Sequence, residues 1–450
     1  MTASRKLFQG LSLAAALLLI LTAGGAYALF LRDHAAVEWI MLGEAPVYAG
    51  AVWLLLRYEG NLGNKARRRV AYGILAVAAI ARAMLIFAPP VSTDIYRYVW
   101  DGRVQASGVN PYEYRPADSQ LVPLRDEAIY PQVNHADYAT TIYPPMAQVI
   151  FLLSTRIAEK LTVMKASMVA FEAAGIAAIL ALLARRNLPQ TRILLYAWHP
   201  LPLFEFAGSG HIDAAAIGFM LLACLIADRR HPAIAGALLA GAALVKYFPA
   251  VLAPALYRRW DWQFPLGAVV TAVLLYLPYI SVGRQVFGFL PGYVEEEHLT
   301  QGSGFFVVAL LEKLAPLPSV APIVYVVFAA IILAALALIA IFRPAPEKVS
   351  LAAATVLITV FTILLSPHFP WYFTWIVPFL CFQLSPALIY LTTSAALLYG
   401  NIWTIDRFSL TAAMYGPFVV ILVIETFLGR GSRLGLSSSE GGRVDQRSAA

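Results

Sequence analysis

The chain has 450 residues, of which 60% are hydrophobic and only 13% charged, against about 45–50% and about 25% in ordinary soluble domains. With a mean hydropathy of +0.70 it lacks the polar surface to face water on all sides, which excludes a soluble globular protein. The net charge of +7 belongs first to cytoplasmic loops rather than nucleic acid, and Cys224 and Cys381, both in apolar runs, exclude a disulfide framework or a thiolate metal site.

Apolar stretches near the ~20 residues that span a bilayer occur at 7–30, 38–56, 70–88, 162–184, 192–209, 212–228, 264–282, 319–342, 349–366 and 410–428. Shorter ones at 233–245, 247–257, 371–384 and 386–400 read as broken pairs. In lipid every backbone group must be bonded internally, so these are helices. The predicted fold is an all-α polytopic membrane protein, a bundle of about 11–14 transmembrane helices with interfacial helices in a long outer loop. Residues 1–428 form one transmembrane domain, and the Gly/Ser/Arg-rich tail 429–450 is expected to be disordered and cytoplasmic. Arg5, Lys6, an apolar run and Ala26-Tyr27-Ala28 also fit a cleavable signal peptide, whose removal would leave the remaining topology unchanged.

With Met1 inside, the clusters Arg57/Lys65/Arg67–Arg69, Arg185/Arg186, Arg229/Arg230, Arg258/Arg259 and Arg343/Lys348 all fall at cytoplasmic ends. Together with Arg5, Lys6, Arg192, Arg430, Arg433, Arg443 and Arg447 they make 20 of the 33 Lys and Arg. That bias places both termini inside. The expected location is the plasma (inner) membrane. Residues 144–161 read as a helix lying in the outer interface, since a crossing there would put Arg185/Arg186 outside.

Residues 89–143 form a 55-residue outer loop with seven acids and four arginines, far longer than an ordinary connection and too aromatic for disorder. Its start places Asp94, Arg97, Tyr98 and Asp101 at i, i+3, i+4 and i+7, so carboxylates and a guanidinium share one helix face; a solvated interfacial helix with an Asp–Arg pair fits equally well. Asn110-Pro111-Tyr112 and Ile142-Tyr143-Pro144-Pro145 are turn chemistry.

Further on, Glu205-Phe206-Ala207-Gly208-Ser209-Gly210-His211-Ile212-Asp213 joins two spans at the outer face, bringing His211 and Asp213 to a helix start. Lys246 breaks an apolar run before Tyr247-Phe248-Pro249, where an ionisable residue marks a site unless it snorkels to the headgroups. The second outer loop, 283–304, carries Glu295-Glu296-Glu297-His298, which reads as a solvated charge run. Ser366-Pro367-His368-Phe369-Pro370-Trp371-Tyr372 closes the outer set, with His368 a base or a belt residue.

No Walker-type loop, dinucleotide fingerprint, H-E-x-x-H or D-x-D is present, so nucleotide hydrolysis, hydride transfer and zinc proteolysis lack support. What remains is an outer cleft of carboxylates and cations at headgroup level, where a lipid-linked phosphate ester would place its reacting atoms.

In order and spacing, Tyr96-Arg97-Tyr98-Val99-Trp100-Asp101-Gly102 after Asp94, Tyr143-Pro144-Pro145, Gly210-His211-Ile212-Asp213, Lys246-Tyr247-Phe248-Pro249 and Ser366-Pro367-His368 with Pro370-Trp371-Tyr372 resemble the GT-C superfamily of polyprenyl-phosphate-sugar glycosyltransferases. Within it the chain looks most like the α-mannosyltransferase branch, including glycosyltransferase family 87 and the α-1,6-mannosyltransferases of lipoglycan assembly. The resemblance spans roughly residues 70–380, and more spans precede the Asp-bearing loop than the single one of much of the superfamily. It implies inverting transfer of a hexose, mannose first, from a polyprenyl-phosphate donor to a glycan, glycolipid or protein hydroxyl outside the membrane, without a metal or other cofactor. Asp94 is then the preferred base, with Asp101 or His368 as alternatives. Arg97, Arg103, His211 and Lys246 are candidates for the donor phosphate, and Tyr98, Trp100, Tyr143, Asp213 and Trp371 for substrate contact. The competing readings are a lipid or sugar transporter of the cell envelope, which should show paired repeats and midplane polar groups, and a membrane scaffold. Glu44, Arg82 and Glu172 are intramembrane charges that none of these readings explains.

Overall fold

In the computed structural model, residues 3–436 are described apart from 303, 317, 319, 344–348 and 401–405, and all their regular structure is helical. Helices α1 (Ala3–Phe30), α2 (His34–Tyr58) and α3 (Asn64–Ile86) open the bundle, followed by α4 (Asp94–Ala106), α5 (Pro145–Ile157) and α6 (Leu161–Arg185). Helices α1 and α2 pair, α4 packs on α5, and α6 packs against the helix Asp213–Asp228.

Seven described helices are long and apolar enough to cross a membrane, or eight if the pair Pro200–Gly208 and Asp213–Asp228, bent by 119°, counts as one. Four more apolar helices, Pro145–Ile157, Pro232–Val245, Leu351–Leu365 and Pro386–Tyr399, are shorter, so the expected 11–14 crossings must include bent or abbreviated elements. Proline explains the breaks. Pro200 and Pro202 remove amide donors from the stretch expected to span 192–209, and the chain passes instead through short turns into a π-helical segment, Leu203–Gly208. Helix Gln263–Tyr276 likewise ends just before Pro278 and continues as a tight 3-10 segment kinked at Gly283. The interfacial helix expected over 144–161 is the 13-residue α5, about 20 Å long at 1.5 Å per residue and too short for the ~30 Å core. The terminal helix Arg407–Leu436 runs past the expected tail boundary at 429; residues 437–450 and Lys348 lie outside the described residues.

Close crossings set the layers. A Cβ on Gly236 would stand 2.0 Å from the Phe264 carbonyl oxygen, and one on Gly267 would stand 2.0 Å from that of Ala233. The helices Pro232–Val245 and Gln263–Tyr276 therefore touch backbone to backbone, which no side chain at either position would permit.

The intramembrane charges are structural pairs. Arg82 meets Glu172 through two bonds of 2.7 and 2.6 Å and donates also to the Ala197 carbonyl at 2.9 Å, joining α3 to α6. Glu44 accepts from Thr22 at 2.8 Å between α2 and α1. At the end away from the long loop, Asp228 takes Arg185 at 2.7 Å and Arg186 at 2.6 Å. The carboxylate-rich sequence gathers at the opposite end, where α4, the start of Asp213–Asp228 and the end of Pro232–Val245 meet.

Candidate functional site

A cavity of about 630 Å³ opens at that end. Its wall comes from five regions remote in sequence: α4 with its loop, the Lys246 break, the segment 289–298, 368–372, and Arg407. Asp94 heads α4, where Ser92 Oγ accepts its amide at 3.2 Å. Its carboxylate is 24% exposed, and the rest is enclosed. Burial pushes its pKa above the usual carboxylate range, with nearby Asp213 adding to the rise, while Lys246, a hydrogen bond from Asn134 and His135 oppose it. The Asn134 amide donates to Oδ1 at 2.7 Å. A partly desolvated carboxylate facing a cavity is a competent proton acceptor.

Lys246 ends its helix and lines the same cavity. Its Nζ is 3.0 Å from both Asp213 oxygens and 4.1 Å above the Tyr372 ring. The Trp375 indole also donates to Asp213, at 2.8 Å. Asp213 is fully buried behind Lys246, so it orients the ammonium and does not itself reach the cavity.

The helix face of α4 divides after its first turn. Asp94, Arg97 and Tyr98 line the cavity, whereas Asp101 is buried one turn deeper. Asp101 takes Arg97 Nε at 2.8 Å, Thr141 at 2.5 Å and Gln148 at 3.2 Å. Held by three protein donors and 2% exposed, Asp101 braces the loop. Arg97 spends its other donors on the carbonyls of Ala139 and Asn134, pinning the segment that carries Asn134. Arg103 stands apart from the cavity between Asp126 at 2.7 Å and Glu159 at 2.8 Å, where it pulls the Asp126 pKa down to about 2.

The aromatic candidates separate in the same way. Trp100 is buried against Tyr130, away from the cavity. Tyr98 lies stacked on Phe151 and edge-on to Tyr143, and both tyrosines reach the cavity wall. Trp371 is sandwiched between Phe369, at 4.4 Å between centroids, and His211, at 4.2 Å. Both of its faces are stacked, so Trp371 reaches the cavity wall, beside Phe369, without a free face for a sugar. His211 itself lies behind the wall, 1% exposed.

His368 does line the cavity, with Nδ1 3.0 Å from Glu297 and Nε2 3.2 Å from the Gly304 carbonyl. With both ring nitrogens facing acceptors, it is tied to the 289–304 segment. The charge run expected to be solvated is largely so: Glu295, Glu296 and His298 are exposed, Glu296 while accepting from Tyr138 at 2.6 Å, and only the half-buried Glu297 turns inward to His368. Arg407, on the last helix, also reaches the mouth. Arg407 carries no local sequence signal and Glu297 only that of its charge run; the fold brings both to the cavity that Asp94 lines.

A family model described as alpha-(1->6)-mannopyranosyltransferase, N-terminal domain, matches residues 12–261. That is more than half of the chain and includes Asp94, Arg97, His211, Asp213 and Lys246, and the chain belongs to this mannosyltransferase family. The α-mannosyltransferase resemblance read from its motifs is thereby upheld. No curated protein and no solved structure matches the chain.

Proposed function

We propose that this member of the alpha-(1->6)-mannopyranosyltransferase family moves a mannosyl residue, within the Asp94 cavity, from a polyprenyl-phosphate donor to an acceptor hydroxyl, inverting the anomeric centre. The observation that carries the reading is the Asp94 carboxylate opening into the same cavity as the Lys246 ammonium.

An attacking hydroxyl needs a base on its side, and a departing phosphate needs a cation on the other. Asp94 takes the hydroxyl proton as the acceptor oxygen bonds to the anomeric carbon. The bond from that carbon to the phosphate oxygen breaks, and its electron pair leaves on the phosphate. Lys246, steadied by Asp213 and Tyr372, meets that charge as a point cation, and Arg407 stands at the mouth. The phosphate role anticipated for Arg97 and Arg103 passes to these two, because Arg97 is occupied by backbone carbonyls and Arg103 by carboxylates. A monophosphate leaving group can be met by such side chains alone, so transfer is proposed to be metal-independent.

The distribution of basic residues supports a cavity at the outer face with both termini cytoplasmic. A lipid-held donor reaches that level by lateral diffusion, which a cytoplasmic nucleotide sugar cannot do. The test is transfer by purified protein in micelles, with EDTA present. Transfer from polyprenyl-phosphate mannose but not from GDP-mannose is expected; efficient use of GDP-mannose, or a strict divalent-metal requirement, would refute the mechanism.

A further inference from the structure

Behind Asp94 lies a buried imidazole that the mechanism leaves unused. His211 is 1% exposed, and among the described residues neither ring nitrogen has a hydrogen-bond partner. Two carboxylates nonetheless flank it: Asp94 Oδ2 is 3.8 Å from Nδ1, and Glu205 Oε2 is 3.4 Å from Nε2. Glu205 Oε2 is also without a hydrogen bond among the described residues, while its other oxygen accepts from Tyr399 at 2.6 Å. A buried polar atom left unbonded costs free energy and calls for an explanation.

The ring is held with some care. Trp371 stacks on it at 4.2 Å. Gly210, at φ +77°, makes the turn that delivers it, and a Cβ there would stand 2.5 Å from Ile95 Cδ1, next in sequence to Asp94. The chain thus places His211 against the head of α4 through a turn that favours glycine.

We propose that His211 and Glu205 are positioning residues for Asp94, with His211 accepting a hydrogen bond from Asp94 once that carboxyl has taken the acceptor's proton. This rests on Asp94 being the base. Glu205 draws the Nε2 proton to its own side, leaving the Nδ1 lone pair toward Asp94. While Asp94 is anionic, two acceptors then face each other with no bond between them, which agrees with the 3.8 Å separation. When Asp94 becomes O–H, the same pair forms a bond. An acceptor that bonds only the protonated form makes Asp94 a stronger base and favours proton transfer from the hydroxyl.

The ionisable groups facing this line are Lys246 and Asp213 from the next two helices, His135 and Tyr143 from the loop, Tyr98 on α4, and Tyr399 behind Glu205. None is altered by the variants chosen.

The experiment is the pH profile of kcat/KM for wild type, His211→Phe, which keeps the stack on Trp371, and Glu205→Gln, which keeps the acceptor for Tyr399. In the first the Asp94 acceptor is gone. In the second the new amide donates to Nε2 and turns the ring N–H toward Asp94, favouring the anion. Both should lower kcat about 10-fold or more, with KM for both substrates within about 2-fold, and move the acid limb to lower pH by about a unit. Should His211→Phe fail to fold, the near-isosteric Glu205→Gln carries the test alone. An acid limb that stays at the wild-type position, or moves up, overturns the proposal, whatever the rate. Asp94→Asn, measured alongside, separates the two claims: full turnover there would mean that Asp94 is not the base, whereas an inactive Asp94→Asn with unmoved limbs in the other variants would defeat the positioning role alone.

Discussion

Lys246 Nζ lies 3.0 Å from each carboxylate oxygen of Asp213, a residue with no exposed side-chain surface. Breaking a buried pair from one side leaves an uncompensated charge and costs about 3–5 kcal/mol, while removing both partners costs far less. Lys246→Met and Asp213→Asn should therefore each lower the melting temperature in detergent, and the double variant should recover much of the loss. Donor KM should rise for Lys246→Met and stay high in the double variant. If donor affinity returned together with stability, Lys246 would be a structural residue alone.

Arg82 and Glu172 are the same kind of pair, away from the cavity. Arg82→Met should destabilise by about 3–5 kcal/mol, and Arg82→Met with Glu172→Leu by much less, with donor and acceptor KM unchanged in whatever folds. A double variant no better than the single would show that the Ala197 carbonyl, not Glu172, is the partner that matters.

Arg103→Gln tests a residue that the sequence offered and the fold set aside. Donor KM should stay within about 2-fold, since a surface contact away from the site contributes little to binding. The signature should lie in stability at acid pH. Asp126 is held near a pKa of about 2 by Arg103, so its contribution is present above the ordinary carboxylate value, about 3.9, and is lost as pH falls from there toward 2. Melting curves across that window should lose this slope in the variant. A raised donor KM would return Arg103 to the site.

How far the site could be read in advance depended on where each residue's partners lie. Asp94, Arg97 and Tyr98 share one helical face, so their spacing alone brought them together, and Lys246 announced itself by interrupting an apolar run. Asp101 carries the same helical signal as Asp94, yet its surroundings are set by Thr141 and Gln148, some 40 residues on, which no local pattern reveals. Trp371 looked like a sugar platform because its own segment is aromatic; the ring that covers its second face, His211, comes from the middle of the chain. The helical, membrane-spanning class was plain from composition. The bent segment 190–208 was harder, because hydropathy does not register the amides that Pro200 and Pro202 lack.

The pH dependence of turnover provides a second handle on Asp94. Its pKa is raised chiefly by burial and opposed by the Asn134 hydrogen bond, so activity should fall on the acid side above the ordinary carboxylate range. Asn134→Ala removes a donor that favours the anion and should move that limb to higher pH by about a unit. The shift is opposite in sign to that expected for His211→Phe. Shifts in the same direction would mean that the limb reports another group.

The central claim is that Asp94 takes the acceptor proton in a cavity that also holds the lipid-linked donor. It is tested most directly by single-turnover transfer from polyprenyl-phosphate mannose by Asp94→Asn, with donor binding measured on the same preparation. The account predicts donor affinity close to wild type and a transfer rate lower by about 10²-fold or more. Transfer at a near-wild-type rate by folded, donor-bound Asp94→Asn would contradict it.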